Sequence, residues 1–212
     1  MLAPEGEREP ARAHRPANFR RALFHVGAGV VALTCVRLMP SRAWLIAVAA
    51  SFATIAWGCE ITRKRSAAVN ARLMRVFGPV AHAHEWHKVN SGTWYATALL
   101  LMALVVPFEA AEIGLVVLAV ADPMAAFIGR RFGVRRLASG RSFGGAAAFA
   151  TTGALAAFAW MTVAGTYGSS RLGLAALAGV VGAAVELFVS RVDDNLAIPL
   201  GTSLAVAIAA LG

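Results

Sequence analysis

The chain is short of charge: only 15% of its 212 residues are Asp, Glu, Lys or Arg, against about 25% in an ordinary soluble domain. Too few polar side chains remain to coat a soluble body of this size, which excludes a water-soluble enzyme. A disordered chain is excluded as well, because 58% of the residues are AVILMFWYC and the mean hydropathy is +0.66, far too apolar to stay solvated. Cysteine is equally scarce. The two present, Cys35 and Cys59, sit near the ends of successive apolar runs. Antiparallel neighbours would hold them on opposite sides of a bilayer, so neither a disulfide nor a cysteine metal site is expected. Acidic residues number 11 against 20 Lys+Arg, nearly all of them Arg, for a net charge of +9. In a soluble protein that excess would point to nucleic acid; in an apolar chain it must first be placed relative to the membrane.

A bilayer-crossing helix needs roughly 20 mostly apolar residues. Seven stretches qualify, at about 22–39, 43–61, 93–108, 111–129, 145–166, 172–190 and 196–211, which predicts an all-α, polytopic integral membrane protein. The third is the weakest, because its apolar core from Ala96 to Val106 is short unless Trp94 and Tyr95 form its interfacial belt. A basic stretch precedes the first, and Ser41-Arg42-Ala43 loosely resembles a cleavage site, but a second span follows at once and the first reads as an anchor. With the amino terminus inside, the inner segments hold five Lys+Arg before Leu23, six from Arg63 to Lys88, five from Arg130 to Arg141 and one at Arg191, together 17 of the 20. The outer loops keep Arg37, Arg42 and Arg171, along with Glu109 and Glu112. This asymmetry orients seven spans with a cytoplasmic amino terminus and explains much of the +9 without nucleic acid.

Residues 1–18, with Pro4, Pro10, Pro16 and mixed charges, read as a disordered cytoplasmic tail, and 19–212 as one membrane-embedded domain. The stretch 66–90 is too polar to span. Its Leu73, Met74, Val76, Phe77, Val80 and Trp86, set among Arg72, Arg75 and three histidines, predict an interfacial helix broken at Gly78-Pro79. Small residues crowd spans five to seven, as helix backbones packed closely in lipid require. Heavy Ala and Arg usage with short loops points to a bacterial inner membrane.

Three places carry chemistry. Asp122 lies deep in the fourth apolar run, where an ionised carboxylate costs about 2.5–3.5 kcal/mol and normally faces a cavity. Asp-Pro is also a helix-start signature, so the span is predicted to break at Asp122, with a half-helix running from Pro123 toward Arg131. A metal- or phosphate-handling carboxylate and a capping residue at a kink are the two readings. The segment Gly129–Gly145 carries Arg130, Arg131 and Arg141 among five arginines, with five glycines, just before a helix. Glycines admit an oxyanion close to backbone N–H groups, and Arg forks hold phosphate bidentately, so a nucleotide triphosphate is the natural guest. A positive-inside loop with turn glycines is the alternative. Gly140-Arg141-Ser142 looks like the end of a P-loop, but Arg stands for its lysine and Arg135 for its first glycine, so that motif is rejected. Asp193, Asp194 and Asn195 sit between the last two spans; they suit a hard cation such as Mg²⁺, or cap the last helix. Lesser candidates are Glu60 with Arg63, Arg20 and Arg21 with His25, and His82, His84, Glu85 and His87, whose spacing is not that of HExxH.

Ala121-Asp-Pro-Met-Ala-Ala-Phe-Ile-Gly-Arg-Arg-Phe-Gly133, Arg141-Ser-Phe-Gly-Gly145 and Val192-Asp-Asp-Asn-Leu-Ala-Ile-Pro-Leu200 together resemble the polytopic CTP-dependent lipid kinases. That family includes dolichol kinase, phytol kinase and the fungal CTP-using diacylglycerol kinase, and is distantly similar to phosphatidate cytidylyltransferase. The resemblance implies Mg²⁺-dependent phosphoryl transfer from CTP to a membrane lipid alcohol on the cytoplasmic side. It further implies Asp122, Asp193 and Asp194 as catalytic or metal carboxylates. Arg130, Arg131, Arg141, Ser142, Gly145 and Asn195 would arrange the nucleotide. The chain departs from the family in carrying Arg141 where Lys is usual, and Gly144 lacks the Glu of the cytidylyltransferase block. Cytidylyl transfer to a phospholipid is the enzymatic alternative, and a small transporter or scaffold with Asp122 as an ion relay is the non-enzymatic one.

Overall fold

A computed structural model describes residues 19–77, 88–133, 136, 140–189 and 191–212. Among these the regular elements are all helical: α1 (Phe19–Leu38), α2 (Arg42–Arg65), α3 (Ala67–Phe77), α4 (Ser91–Val105), α5 (Phe108–Phe132), α6 (Phe143–Ala164), α7 (Arg171–Phe188) and α8 (Asp194–Ala209), with a 3-10 turn at Gly168–Ser170. Four segments of the described residues, α2, α5, α6 and Gly168–Phe188, are long and apolar enough to cross a membrane. Ala22–Leu38, α4 and α8 are apolar but shorter. A helix, α3, forms within the stretch 66–90 expected to be interfacial; the 1–18 tail, the Gly78-Pro79 break, and His82, His84, Glu85 and His87 lie outside the described residues, as do the side chains of Arg20 and Arg21.

Local chemistry sets the helix starts. Ser41 accepts the N–H of Trp44 (3.4 Å), Asn90 that of Gly92 (2.8 Å), Ser142 that of Gly145 (3.0 Å) and Asp193 that of Asn195 (3.0 Å), each satisfying a donor that the first turn leaves unpaired. One expectation fails here. The fourth span does not break at Asp122: α5 runs on through Pro123 to Phe132. Pro123 removes the hydrogen bond to the Ala119 carbonyl, but neighbouring helices hold both flanks in place.

The helix α5 is the axis of the molecule. Its residues Ala110–Ala119 are all buried, with α1, α6, α7 and α8 packed around them; α4 leans on α8 and α2 on α4. A helix that is apolar on every side belongs inside a bundle. Glycines set the spacing: a Cβ at Gly179 of α7 would drive into the backbone of Ala150 and Ala154 on α6, and one at Gly114 of α5 into Pro199 and Ser203 on α8. Close backbone approach of this kind is how helices associate in lipid, where apolar burial supplies no drive.

The outward faces are inverted relative to a soluble domain. Val30, Phe52, Ile55, Leu155, Val163, Leu172, Val180 and Ile208 are exposed, while Glu60, Arg63, Glu112 and Asn195 are buried. Outward hydroxyls satisfy themselves, as Ser51, Thr151 and Thr162 donate to the carbonyl four residues back. At the end opposite the arginine-rich loops, Arg37 of α1 pairs with Glu112 of α5 at 2.6 Å. Trp160 of α6 donates to the same carboxylate at 2.9 Å and lies 5.5 Å under the Arg37 guanidinium. Glu112 is thus a buried member of α5 and not a loop residue.

Candidate functional site

The arginine-rich end is built where α5 finishes and α6 begins. A Cβ at Gly145 would sit 3.4 Å from Gly129 Cα and 3.1 Å from Ser142 Oγ, and one at Gly129 2.9 Å from the same oxygen, so glycines let the two helices meet closely around the Ser142 hydroxyl. That hydroxyl is buried and accepts the Gly145 N–H; both residues therefore secure the α6 start as well as facing the site. Between the helices, Gly140 takes a left-handed turn (φ 83°), which brings Arg136 into an antiparallel bridge with Ser142. Arg136 donates to the carbonyls of Gly129 (3.3 Å) and Gly140 (3.2 Å). The outcome is a cavity of about 150 Å³ lined by Arg130, Arg136, Arg141, Ser142, Gly145 and Glu186.

Four of the expected phosphate-handling residues, Arg130, Arg141, Ser142 and Gly145, are brought together there. Arg131 is set aside: it is exposed, with its guanidinium 5.7 Å from the Phe132 ring. Asn195 is absent from the cavity lining; its side-chain amide donates to Asp193 at 3.0 Å.

Arg141 closes the basic cavity on one side and meets carboxylates on the other. Its Nη2 lies 2.6 and 2.7 Å from the two oxygens of Asp194, Nε lies 3.6 Å from Glu186, and Nη1 donates to the Val189 carbonyl at 3.3 Å. Asp122 is near enough to repel both Asp194 and Glu186 electrostatically. Two carboxylates, from α7 and α8, thus converge on one guanidinium, with Asp122 of α5 close to both. The balance is incomplete: Glu186 Oε2 is buried with no hydrogen-bond partner among the described residues. His25 Nε2 is in the same condition, 4.0 Å from Asp122 Oδ2.

The two adjacent aspartates part company. Asp193 caps α8 through Oδ1 and accepts the Ser91 hydroxyl on Oδ2 at 3.2 Å, so it joins α4 to α8 and does not face Arg141. Glu60 is likewise engaged in holding helices. It forks with Arg63 at 2.8 Å through both oxygens and accepts the Asn90 N–H at 3.3 Å, while Arg63 reaches Asn70 and the Lys88 carbonyl. This buried pair links α2, α3 and the approach to α4.

Glu186 and Arg136 are the members that sequence reasoning missed. Glu186 lies at the end of an apolar run, and the cost argument that singled out Asp122 would have found it. Among the described residues no group of three His, Cys, Asp or Glu side chains is placed to hold a metal ion, although the oxygens of Asp122, Glu186 and Asp194 are donors of the kind that a hard cation such as Mg²⁺ takes. Asp193, with both oxygens committed, does not belong to that set. The chain matches no family model, no curated protein and no solved structure, so the site stands on its own geometry.

Proposed function

We propose that the chain is a CTP-dependent lipid kinase, passing the γ-phosphoryl group of the nucleotide to a membrane lipid alcohol. One observation carries the reading: a pocket of three arginines, Arg130, Arg136 and Arg141, abuts three carboxylates, Asp122, Glu186 and Asp194, at the same end of the bundle. Phosphoryl transfer asks mainly for positioning and charge neutralisation, and this juxtaposition supplies both.

In this reading all seven apolar helices cross the membrane, and the site faces the cytoplasm where 17 of the 20 Lys+Arg gather. Arg130, Arg136 and Arg141 hold the phosphates. Glu186 and Asp194, with Asp122 nearby, would hold Mg²⁺, which would supply neutralisation of charge on the phosphate oxygens. Arg141 then exchanges its carboxylate partners for phosphate, so the ion pair with Asp194 is the resting form of the site. Asp122 Oδ2 takes the proton of the lipid hydroxyl as its oxygen bonds the γ-phosphorus. The β–γ bridging bond breaks and CDP leaves, while the proton passes from Asp122 to water.

The test is incubation of the purified chain in lipid nanodiscs with Mg²⁺, a pool of prenols, phytol and diacylglycerol, and CTP labelled at the γ-phosphate, with ATP as a parallel donor. Label in a lipid product is expected with CTP. Incorporation of the α-phosphate instead would mark cytidylyl transfer, and no incorporation from an unbound nucleotide overturns the enzyme reading.

A further inference from the structure

The helix α3 turns two different faces to its surroundings. At about 100° per residue, Leu73, Met74 and Phe77 fall on one side, where they line a cavity of about 390 Å³ shared with α1, α2 and α4. Met74 is buried there, and Arg63 of α2 donates to Asn70 at 3.0 Å, so this side is fixed to the bundle. Arg72 and Arg75 lie about 60° apart on the opposite side, with Ala68 between them and Ala71 alongside, all four exposed. These short neighbours leave both guanidiniums accessible.

The charge on that outer face is uncompensated. No Asp or Glu occurs between Glu60 and Glu85, a stretch that carries Arg63, Lys64, Arg65, Arg72 and Arg75. Glu60 is committed to Arg63 and, at 3.6 Å, to Lys64. Arg65, Arg72 and Arg75 have no ion pair among the described residues. Arg72 and Arg75 also repel each other three residues apart, on a helix of 11 residues that is marginal without outside support. Anions from outside the chain complete this face.

The apolar side chains beside it decide which anion. Val76 is 71% exposed and Phe77 45%, directly after Arg75, and Ile61 is 47% exposed one turn before Arg65. A free phosphate leaves Val76 and Phe77 in water. The boundary of a bilayer takes both kinds of group, with acyl chains against the apolar residues and headgroup phosphates against the arginines. The position agrees. Arg63 also donates to the Lys88 carbonyl, which ties α3 to the segment leading into α4, and Ser91 of α4 meets Asp193. The helix α3 therefore lies at the arginine-rich end of the bundle.

We infer that α3 is a docking helix for anionic phospholipid, with Arg72 and Arg75, and Arg65 at the adjoining end of α2, on the headgroup phosphates. Each cation near an anionic leaflet adds to the attraction, whereas the phosphate of a zwitterionic headgroup is already balanced by its own amine. Headgroup binding here is separate from phosphoryl transfer, since none of the three arginines lines the basic cavity.

Val76 supplies a reporter position. In the full chain with Cys35→Ser and Cys59→Ser, Val76→Cys carries a fluorophore in phosphatidylcholine nanodiscs. These contain, as an equal small fraction, phosphatidylglycerol or phosphatidylcholine spin-labelled near the headgroup end of one acyl chain. Quenching by the phosphatidylglycerol should be at least threefold stronger. Arg72→Gln with Arg75→Gln should bring the two lipids within 1.5-fold. Arg72→Lys with Arg75→Lys should keep a preference of twofold or more, because headgroups on a surface meet point charges as well as forks. Equal quenching in the chain with both arginines intact overturns the inference. So does a Gln pair that lowers the preference by only about a fifth, the share of two charges in a net +9, which marks diffuse attraction to the whole chain. Loss of the preference in the Lys pair marks a pocket for a single phosphate and overturns it as well, as does displacement of phosphatidylglycerol by inorganic phosphate beyond that by chloride at equal ionic strength.

Discussion

Arg141 is the hinge between two charge populations, because one guanidinium borders the basic cavity and also donates to both oxygens of Asp194 through Nη2. Arg141→Lys keeps the charge but cannot reach Asp194, Glu186 and the Val189 carbonyl from three separate nitrogens. A loss of about 1 kcal/mol in stability, with CTP affinity weakened less than tenfold, is the expected outcome in thermal melts and nucleotide titrations. Arg141→Met should weaken CTP at least a hundredfold, since it also leaves Asp194, Glu186 and Asp122 facing one another uncompensated. Asp122 gives the sharper contrast. It repels both of the other carboxylates, so Asp122→Asn should raise the melting temperature while reducing kcat by 10²–10⁴, the range set by a lost general base. A residue that merely capped a kink would do the opposite, destabilising the chain and sparing turnover. Mg²⁺ supplies a third readout at this scale. It should raise the melting temperature of the native chain, because a ligand bound only to the folded form stabilises it, and should lose that effect in Asp122→Asn combined with Glu186→Gln.

Between helices, fit is set by glycine. Gly179→Val pushes side-chain atoms into the α6 backbone at Ala150 and Ala154, contacts that no rotamer relieves, and overpacking of this kind costs about 1–3 kcal/mol. Gly27→Ala on α1 meets nothing within 4 Å and should be neutral or slightly stabilising. Comparing the two melts separates packing from simple helix propensity. The same scale shows what the chain's letters can and cannot disclose. Long apolar runs in lipid must satisfy their own backbone as helix, so α1, α2 and α4 to α8 were legible as helices, and so were the caps at residues such as Asp193. The continuity of α5 through Pro123 was not, because it depends on neighbours that hold the helix on both sides. Within the site, Asp122, Asp194, Arg130 and Arg141 were visible as charges that an apolar chain must explain. The separate fates of Asp193 and Asp194 were hidden. Consecutive residues at a helix start point roughly 100° apart, and only packing decides which of them turns to Arg141 and which to Ser91. Glycine had two readings, and Gly129 and Gly145 proved to serve helix contact as well as the cavity.

For the whole molecule, the decisive quantity is which ends share a side of the membrane. The helices α4 and α8 have 15 and 16 residues, about 22–24 Å at 1.5 Å per residue, short of a hydrocarbon core of about 30 Å. If they failed to cross, α2, α5, α6 and α7 would be the spans, and the chain would emerge from α2 and from α6 on the same side. The proposed seven crossings agree with the contacts. Ser91 at the start of α4 meets Asp193 at the start of α8, and Asp194 meets Arg141 at the start of α6, so three helices begin at one end of the bundle. The α2 terminus, through Arg63 and Lys88, lies at that end as well. Local thinning of the bilayer absorbs a mismatch of a few ångströms at modest cost. Seven crossings then put residue 66 and residue 169 on opposite sides. In sealed right-side-out vesicles of a chain lacking its two native cysteines, Ser169→Cys should react with a membrane-impermeant maleimide, and Ser66→Cys only after permeabilisation. Reaction of both from outside, or of neither, would mean that the short helices stop part-way. The proposed collection of carboxylates and arginines on the cytoplasmic face, where a nucleotide could reach them, would then fail.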